Sequence, residues 1–142
     1  MFLGEAEHSL DDKGRVVLPA KYRDELVDGA VIAKGRGDCL FIYSTEEFER
    51  VAQDLREKSK EGPKGLAMAR SFFSGAEAIN PDKQGRVAIP PKLRQYAGLQ
   101  RDVVVAGVFS RIEIWDRQRW ADRGPAGDES LTDETEFPEV GL

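Results

Sequence analysis

A single cysteine, Cys39, leaves no partner for an internal disulfide, and a single histidine, His8, leaves no Cys/His cluster for zinc. No apolar run approaches the ~20 residues that span a bilayer. The opening Met1-Phe2-Leu3-Gly4-Glu5 meets an acid with no basic region before it, so a signal peptide is not expected. These shortages point to a reducing cytoplasm and to a chain with no metal, no cofactor, no membrane partner and no small-molecule substrate. Lysine and arginine are missing from one stretch only. From Gly124 to Leu142 there are six acids and no base. The net charge of −5 therefore misleads, because the remainder holds 21 basic against 20 acidic residues. A nearly neutral body can still present a basic face, and the asymmetry along the chain matters more than the total.

Chemistry of the catalytic kind is equally thin. Asp11, Asp12 and Asp82 could be read as acid/base carboxylates, but such work needs paired groups in a pocket with perturbed pKa. Aspartates in turns far more often bond their own backbone. His8 has no His, Cys or Ser at a useful spacing and is read as structural. Cys39 is read as a small apolar residue. The expectation is that the chain is not an enzyme.

What is present is a repeat. At an offset of 71, the thirteen residues Asp11 to Arg23 fall on Asp82 to Arg94 with seven identities, and Phe2-Leu3-Gly4 falls on Phe73-Ser74-Gly75. After one inserted residue Val31 and Ala33 meet Val103 and Val105, Leu40-Phe41-Ile42-Tyr43 meets Ile112-Glu113-Ile114-Trp115, and Phe48 meets Trp120. Each copy reads as a short strand, a tight hairpin turn at Lys13-Gly14 or Gln84-Gly85 where glycine supplies a positive φ, and a β-branched strand. Pro19 or Pro90 then opens a short helix, which runs to about Leu26 or to Ala97. Two further strands follow: Ala30 to Ala33 with Cys39 to Tyr43, and Val103 to Ala106 with Ile112 to Trp115. Ser44 with Glu47 forms a capping-box pattern, and Asp116 caps the corresponding helix in the second copy. Between the copies, Glu46 to Lys60 and Lys64 to Phe73 read as helices broken at Gly62-Pro63. The division is 1–48 for the first module, 49–71 for a helical connector, 72–121 for the second module and 122–142 for an acidic tail expected to be disordered.

A strand, a D-x-x-G-R turn, a strand and a proline-led helix resemble the AbrB-like (SpoVT-AbrB) module. Two copies in one chain, the opening Met1-Phe2-Leu3-Gly4, the stretch Leu18-Pro19-Ala20-Lys21 and the run Ile114-Trp115-Asp116 resemble the MraZ family over about residues 1–121. The resemblance implies a mainly β, α+β fold in which two swapped-hairpin modules form one pseudo-twofold, barrel-like unit. It implies protomers that assemble into a closed, octamer-like ring. It further implies a cytoplasmic, nucleoid-associated transcription regulator that binds G-rich direct repeats on double-stranded DNA. Those repeats would lie upstream of a cell-division and cell-wall gene cluster that includes its own gene. The alternative is an antitoxin-like interaction module that binds a partner protein.

The family's D-x-x-x-R contact maps to Asp11 and Arg15 and to Asp82 and Arg86. Arginine can bond guanine O6 and N7 in a bidentate fork, and a two-stranded ribbon fits the major groove. The competing reading is an arginine that braces its turn through the aspartate, an exposed ion pair worth ~0–1 kcal/mol, and the two roles are compatible. Lys13, Lys83, Lys21, Arg23, Lys92 and Arg94 are candidates for phosphate contact, which positions without reading sequence. Lys13 and Lys83 have the stronger claim because they lie in the loops. Lysine moves from the third loop position in one copy to the second in the other, so the loops cannot make identical contacts. Trp115, Trp120, Tyr43, Phe48, Phe72 and Phe73 are expected in a core or a protomer interface, not as stacking platforms for bases.

Overall fold

The computed structural model describes residues 1–142. The first copy supplies β1 (Phe2–Ser9), β2 (Arg15–Val17), α1 (Ala20–Arg23) continued by a 3₁₀ turn over Asp24–Leu26, β3 (Ala30–Lys34) and β4 (Leu40–Ser44). Two helices follow, α2 (Thr45–Ser59) and α3 (Pro63–Gly75). The second copy supplies β5 (Glu77–Ile79), β6 (Arg86–Ala88), α4 (Pro91–Tyr96), β7 (Asp102–Phe109) and β8 (Arg111–Asp116), and α5 (Arg117–Thr132) ends the ordered elements.

Local chemistry accounts for most boundaries. Pro19 and Pro90 sit immediately before α1 and α4, where a missing N–H costs nothing. The Ser44 hydroxyl accepts the Glu47 N–H at 3.2 Å, and Asp116 accepts the Arg119 N–H at 3.1 Å. Only half of the expected capping box forms at α2, because the Glu47 carboxylate turns to the Arg50 guanidinium instead. Between α2 and α3 the chain reverses at Gly62, whose φ of 132° is open to glycine.

Strand pairing crosses between the copies. β1 pairs with β7 over eight residues, β5 pairs with β3, β4 pairs with β8 and β2 pairs with β6, all antiparallel. The main sheet runs β1-β7-β8-β4-β3-β5, with β2-β6 as a separate two-stranded ribbon. Exchanging the copies maps that order onto its own reverse. The axis of this pseudo-twofold passes through Phe41 opposite Glu113 in the sheet and through Val16 opposite Val87 in the ribbon. This exchange of strands is the one that two swapped-hairpin modules imply. The strands flanking each glycine turn share only the tip of a hairpin, since each continues to a partner in the other copy. The sheet also stays open at β1 and β5, so no closed barrel forms; an α+β fold is what the chain adopts.

The sheet is covered on both faces, which explains its unbroken apolar runs. On one face Ile32, Leu40, Ile42, Val103, Val105, Ile112 and Ile114 meet Val16, Leu18, Val87 and Ile89 of the ribbon segments and Tyr22, Leu26 and Leu93 of the short helices. Each fully buried aliphatic side chain there contributes roughly 1.5–3 kcal/mol of transfer free energy. On the other face Phe41, Tyr43, Val104, Ala106 and Trp115 pack under α2, α3 and α5 through Phe48, Val51, Phe72 and Trp120. Tyr43 and Trp115 are thus buried in this layer, while Phe48, Phe72 and Trp120 pack half-buried against it. At the axis the two copies differ sharply. Buried Glu113 replaces the equivalent of Phe41, and its carboxylate accepts from the Arg111 guanidinium and from Trp115 Nε1 at 2.8 Å.

Helix α5 propagates from its capped start through Pro125 to Thr132, although none of its residues is buried.

Candidate nucleic-acid interface

Two loops built on one plan carry the predicted contact residues. In the first, Gly14 N–H donates to the Asp11 carbonyl at 3.0 Å and Asp11 N–H donates to the Arg15 carbonyl at 2.9 Å. Gly14 takes φ 72°, so the loop is a turn followed by a left-handed glycine, a three-residue hairpin tip. The second loop repeats this with Gly85 to Asp82 at 2.8 Å, Asp82 to Arg86 at 3.1 Å and φ 80° at Gly85.

The aspartates organise both loops. Asp11 Oδ1 accepts the N–H groups of Lys13 and Arg15, each at 2.9 Å, while Oδ2 accepts Arg15 Nε at 2.7 Å. Asp82 does the same for Gln84, Arg86 and Arg86 Nε. Bonding to the Arg15 N–H leads the causes that hold the Asp11 carboxyl below its ordinary range, and the Arg86 N–H does this for Asp82. With Nε engaged, the two terminal nitrogens of each guanidinium make no hydrogen bond within the chain, and a bidentate contact would use these two donors. Bracing through Nε therefore leaves the terminal nitrogens unengaged.

The ribbon puts both arginines on one surface. Val16 and Val87 face the core, so alternation turns Arg15, Val17, Arg86 and Ala88 outward. Arg15 lies opposite Ala88 and Arg86 opposite Val17. The two arginines are thus two steps apart along the ribbon, roughly 7 Å at ~3.4 Å per residue.

The remaining predicted residues divide into two groups. Lys13 and Lys83 are exposed in the loops, and Lys92 is exposed at the start of α4. Lys21 is also exposed, with its ammonium 5.4 Å from the Tyr22 ring centroid. Arg23 and Arg94, in contrast, are half-buried. Arg23 donates to the Leu18 carbonyl from Nε and Nη2, and Arg94 donates to the Ile89 carbonyl at 2.6 Å.

Sequence reasoning missed Gln100 and Arg101. They line a shallow recess of about 260 Å³ beside the first loop with Leu10, Asp11, Asp12 and Gly14, and the Arg101 carbonyl accepts the Leu10 N–H at 2.8 Å. Only the crossed pairing brings them there, and no local pattern announces it. A larger recess of about 770 Å³ lies on the helix-covered side of the sheet, lined by Tyr43, Val51, Met68 and Phe72 among others. It is remote from both loops. The two aromatic and sulfur groups nearest this layer are quiet: burial pushes the Cys39 thiol and the Tyr43 hydroxyl each up to about 12. No helix is long and apolar enough to cross a membrane.

With this geometry in view, comparison with known proteins is specific. The family model described as "MraZ protein, putative antitoxin-like" matches residues 1–69 and 72–136. The transcriptional regulator MraZ of Kineococcus radiotolerans is 46% identical over 136 residues, covering 96% of this chain and 90% of that protein. Those of Salinispora tropica and Thermobifida fusca are each 52% identical, over 84% and 86% of this chain and 84% and 85% of their own lengths. A family match through both repeats, together with relatives near half identity along most of the chain, establishes that the chain belongs to the MraZ family.

Proposed function

We propose that this chain is a DNA-binding transcriptional regulator whose two loops read G-rich direct repeats through Arg15 and Arg86. The observation that supports it best is the pair of outward arginines on one ribbon face, each with Nε fixed by an aspartate and its terminal nitrogens free. Arginine is the residue whose fork matches guanine O6 and N7, and the major groove admits a ribbon of this width. Lys13 and Lys83, and more distantly Lys21 and Lys92, supply charge for phosphates. The relatives' names support transcriptional regulation. Targets upstream of a cell-division and cell-wall gene cluster, including the regulator's own gene, and a nucleoid-associated location are what the family resemblance implies.

One protomer offers too little for a specific interface, which buries ~1,000–2,500 Å² of protein. A closed, octamer-like ring resolves this. Head-to-tail contacts leave all loops facing one way, as direct repeats require, whereas an isologous dimer suits a palindrome. Several loops engaging together raise avidity by ~10²–10⁴ without new contacts.

The test pairs mass in solution with affinity for duplexes carrying one, two and three G-rich repeats over a salt series. The expected result is an oligomer, much tighter binding to two or three repeats than to one, and a log–log salt slope of several units, at roughly 0.9 per phosphate. A monomeric mass, or equal affinity for one and three repeats, would overturn the ring mechanism. A flat salt response would overturn DNA binding by these loops. A second reading, an antitoxin-like module, draws on the exposed acidic C-terminal segment with Leu131, Phe137 and Leu142 all exposed. Stoichiometric co-purification of one small partner protein, with no affinity for the repeats, would favour it.

A further inference from the structure

We infer that Arg23 and Arg94 are positioning residues that clamp the DNA loops crosswise, each helix of one repeat holding the loop of the other. This rests on the reading of the loops as the DNA contact and specifies how they are kept in shape. Arg94, on α4 of the second copy, lays its guanidinium on Gly14 of the first loop so closely that a β-carbon there would collide with it. The same guanidinium donates to the Ile89 carbonyl, and the Ile89 N–H donates to the Gly14 carbonyl at 3.0 Å. Arg23, on α1 of the first copy, lies on Gly85 of the second loop in the same way. It donates to the Leu18 carbonyl, and the Leu18 N–H donates to the Gly85 carbonyl at 2.9 Å. Each circuit runs arginine, strand end, loop glycine, and back to the arginine. Glycine is required at the loop for two independent reasons, its positive φ and the plane of guanidinium pressed on it.

The chemistry separates a clamp from a phosphate contact. A phosphate contact needs a cation at the surface, and lysine can supply it. A clamp needs a flat, half-buried group that stacks on backbone and reaches a carbonyl, and lysine lacks the planar fork. A clamp further predicts crossed coupling: Arg94 acts through Arg15, and Arg23 acts through Arg86.

Two measurements on the full chain test this. Amide hydrogen exchange of Arg94→Ala and Arg94→Lys is expected to show lost protection at Gly14 and Arg15, with Gly85 and Arg86 unchanged; Arg23 variants are expected to show the reverse. This readout needs no DNA. Affinity for a duplex with two G-rich repeats is then expected to fall about 5- to 30-fold in either Arg94 variant, with the salt slope unchanged. A double-mutant cycle should find Arg94 non-additive with Arg15 and additive with Arg86. Should Arg94→Ala not fold, Arg94→Lys, which keeps bulk and charge, carries both measurements. Unaltered exchange in the loops overturns the clamp. So does an Arg94→Lys protein that binds normally while Arg94→Ala loses about one unit of salt slope, which marks a phosphate contact. If exchange changes as expected but Arg15→Ala leaves affinity intact, the clamp stands and the DNA reading of the loops falls.

Discussion

The two loops share one backbone and differ in what surrounds it. Both close through the same turn bonds and the same aspartate fork. The first, however, is tied at its base by the Leu10 N–H to the Arg101 carbonyl. At the equivalent position the second loop has Pro81, which has no N–H to give. The first loop also has Arg101 and Gln100 beside it, where the repeat-equivalent residues are Gly29 and Asp28. Against this, the second loop carries Lys83 and Gln84 where the first carries Asp12 and Lys13, so its own charge is more positive. Duplication preserved the geometry that aims an arginine. It did not preserve the anchoring or the charge that sets how much each arginine is worth.

The largest expected difference is in DNA affinity. Loss of one bidentate guanine contact costs ~1–3 kcal/mol, and a better anchored loop places its arginine with less ordering cost on binding. Arg15→Ala is therefore expected to abolish specific binding with assembly intact, and Arg86→Ala to weaken it more mildly. Fluorescence anisotropy against the repeat, with mass measured in parallel, checks both. Equal losses would show that the tether and neighbouring groups do not matter.

Stability should distinguish the loops less. Gly14→Ala and Gly85→Ala each force a side chain into the left-handed region, costing about 1–2 kcal/mol, and each displaces a guanidinium. Both are expected to lower the melting temperature by several degrees and by similar amounts. A variant with no shift would mean that its loop relaxes to another conformation.

Acid should separate them least. The folded Asp11 and Asp82 carboxyls lie below the ordinary 3.8, so their contribution is fully present above that value. It is lost only as pH falls through the lower folded values. Loop order is expected to be flat from pH 7 to 5 and to persist at pH 4. Carboxyl carbon shifts in a pH titration report this directly, and titration at or above 3.8 would refute the aspartate fork in that loop.

Much of this comparison was readable in the residues. Glycine before arginine, proline before a short helix, and Ser44 and Asp116 at helix starts are local signals, and the structure honours each. The partner of each strand is not local. Periodicity marks Val103 to Ala106 as buried but cannot say that β7 lies beside β1; only the family resemblance, with its swapped hairpins, implied such an exchange. The alignment of Phe2-Leu3-Gly4 with Phe73-Ser74-Gly75 likewise hid a change of state. In the second copy those residues finish α3, where Phe72 and Phe73 pack on Phe48, and β5 is left with three residues. Tertiary contact overrode sequence likeness. The crossed positions of Arg23 and Arg94 were hidden for the same reason. Both were read as phosphate candidates because their packing partners lie about 60 to 80 residues away in the chain.

The interleaved strand order also sets a schedule for the chain in the cell. β1 has a single partner, and that partner ends at Phe109. At ~5–20 residues per second of synthesis, the first strand waits roughly 5–20 s before its mate leaves the ribosome. During that interval Phe2 and the apolar strands β3 and β4 have no finished core to enter. Neither repeat can close its share of the sheet alone, so folding is deferred until the second is nearly complete. A truncation anywhere before β8 releases an unpaired sheet edge and not a smaller working regulator.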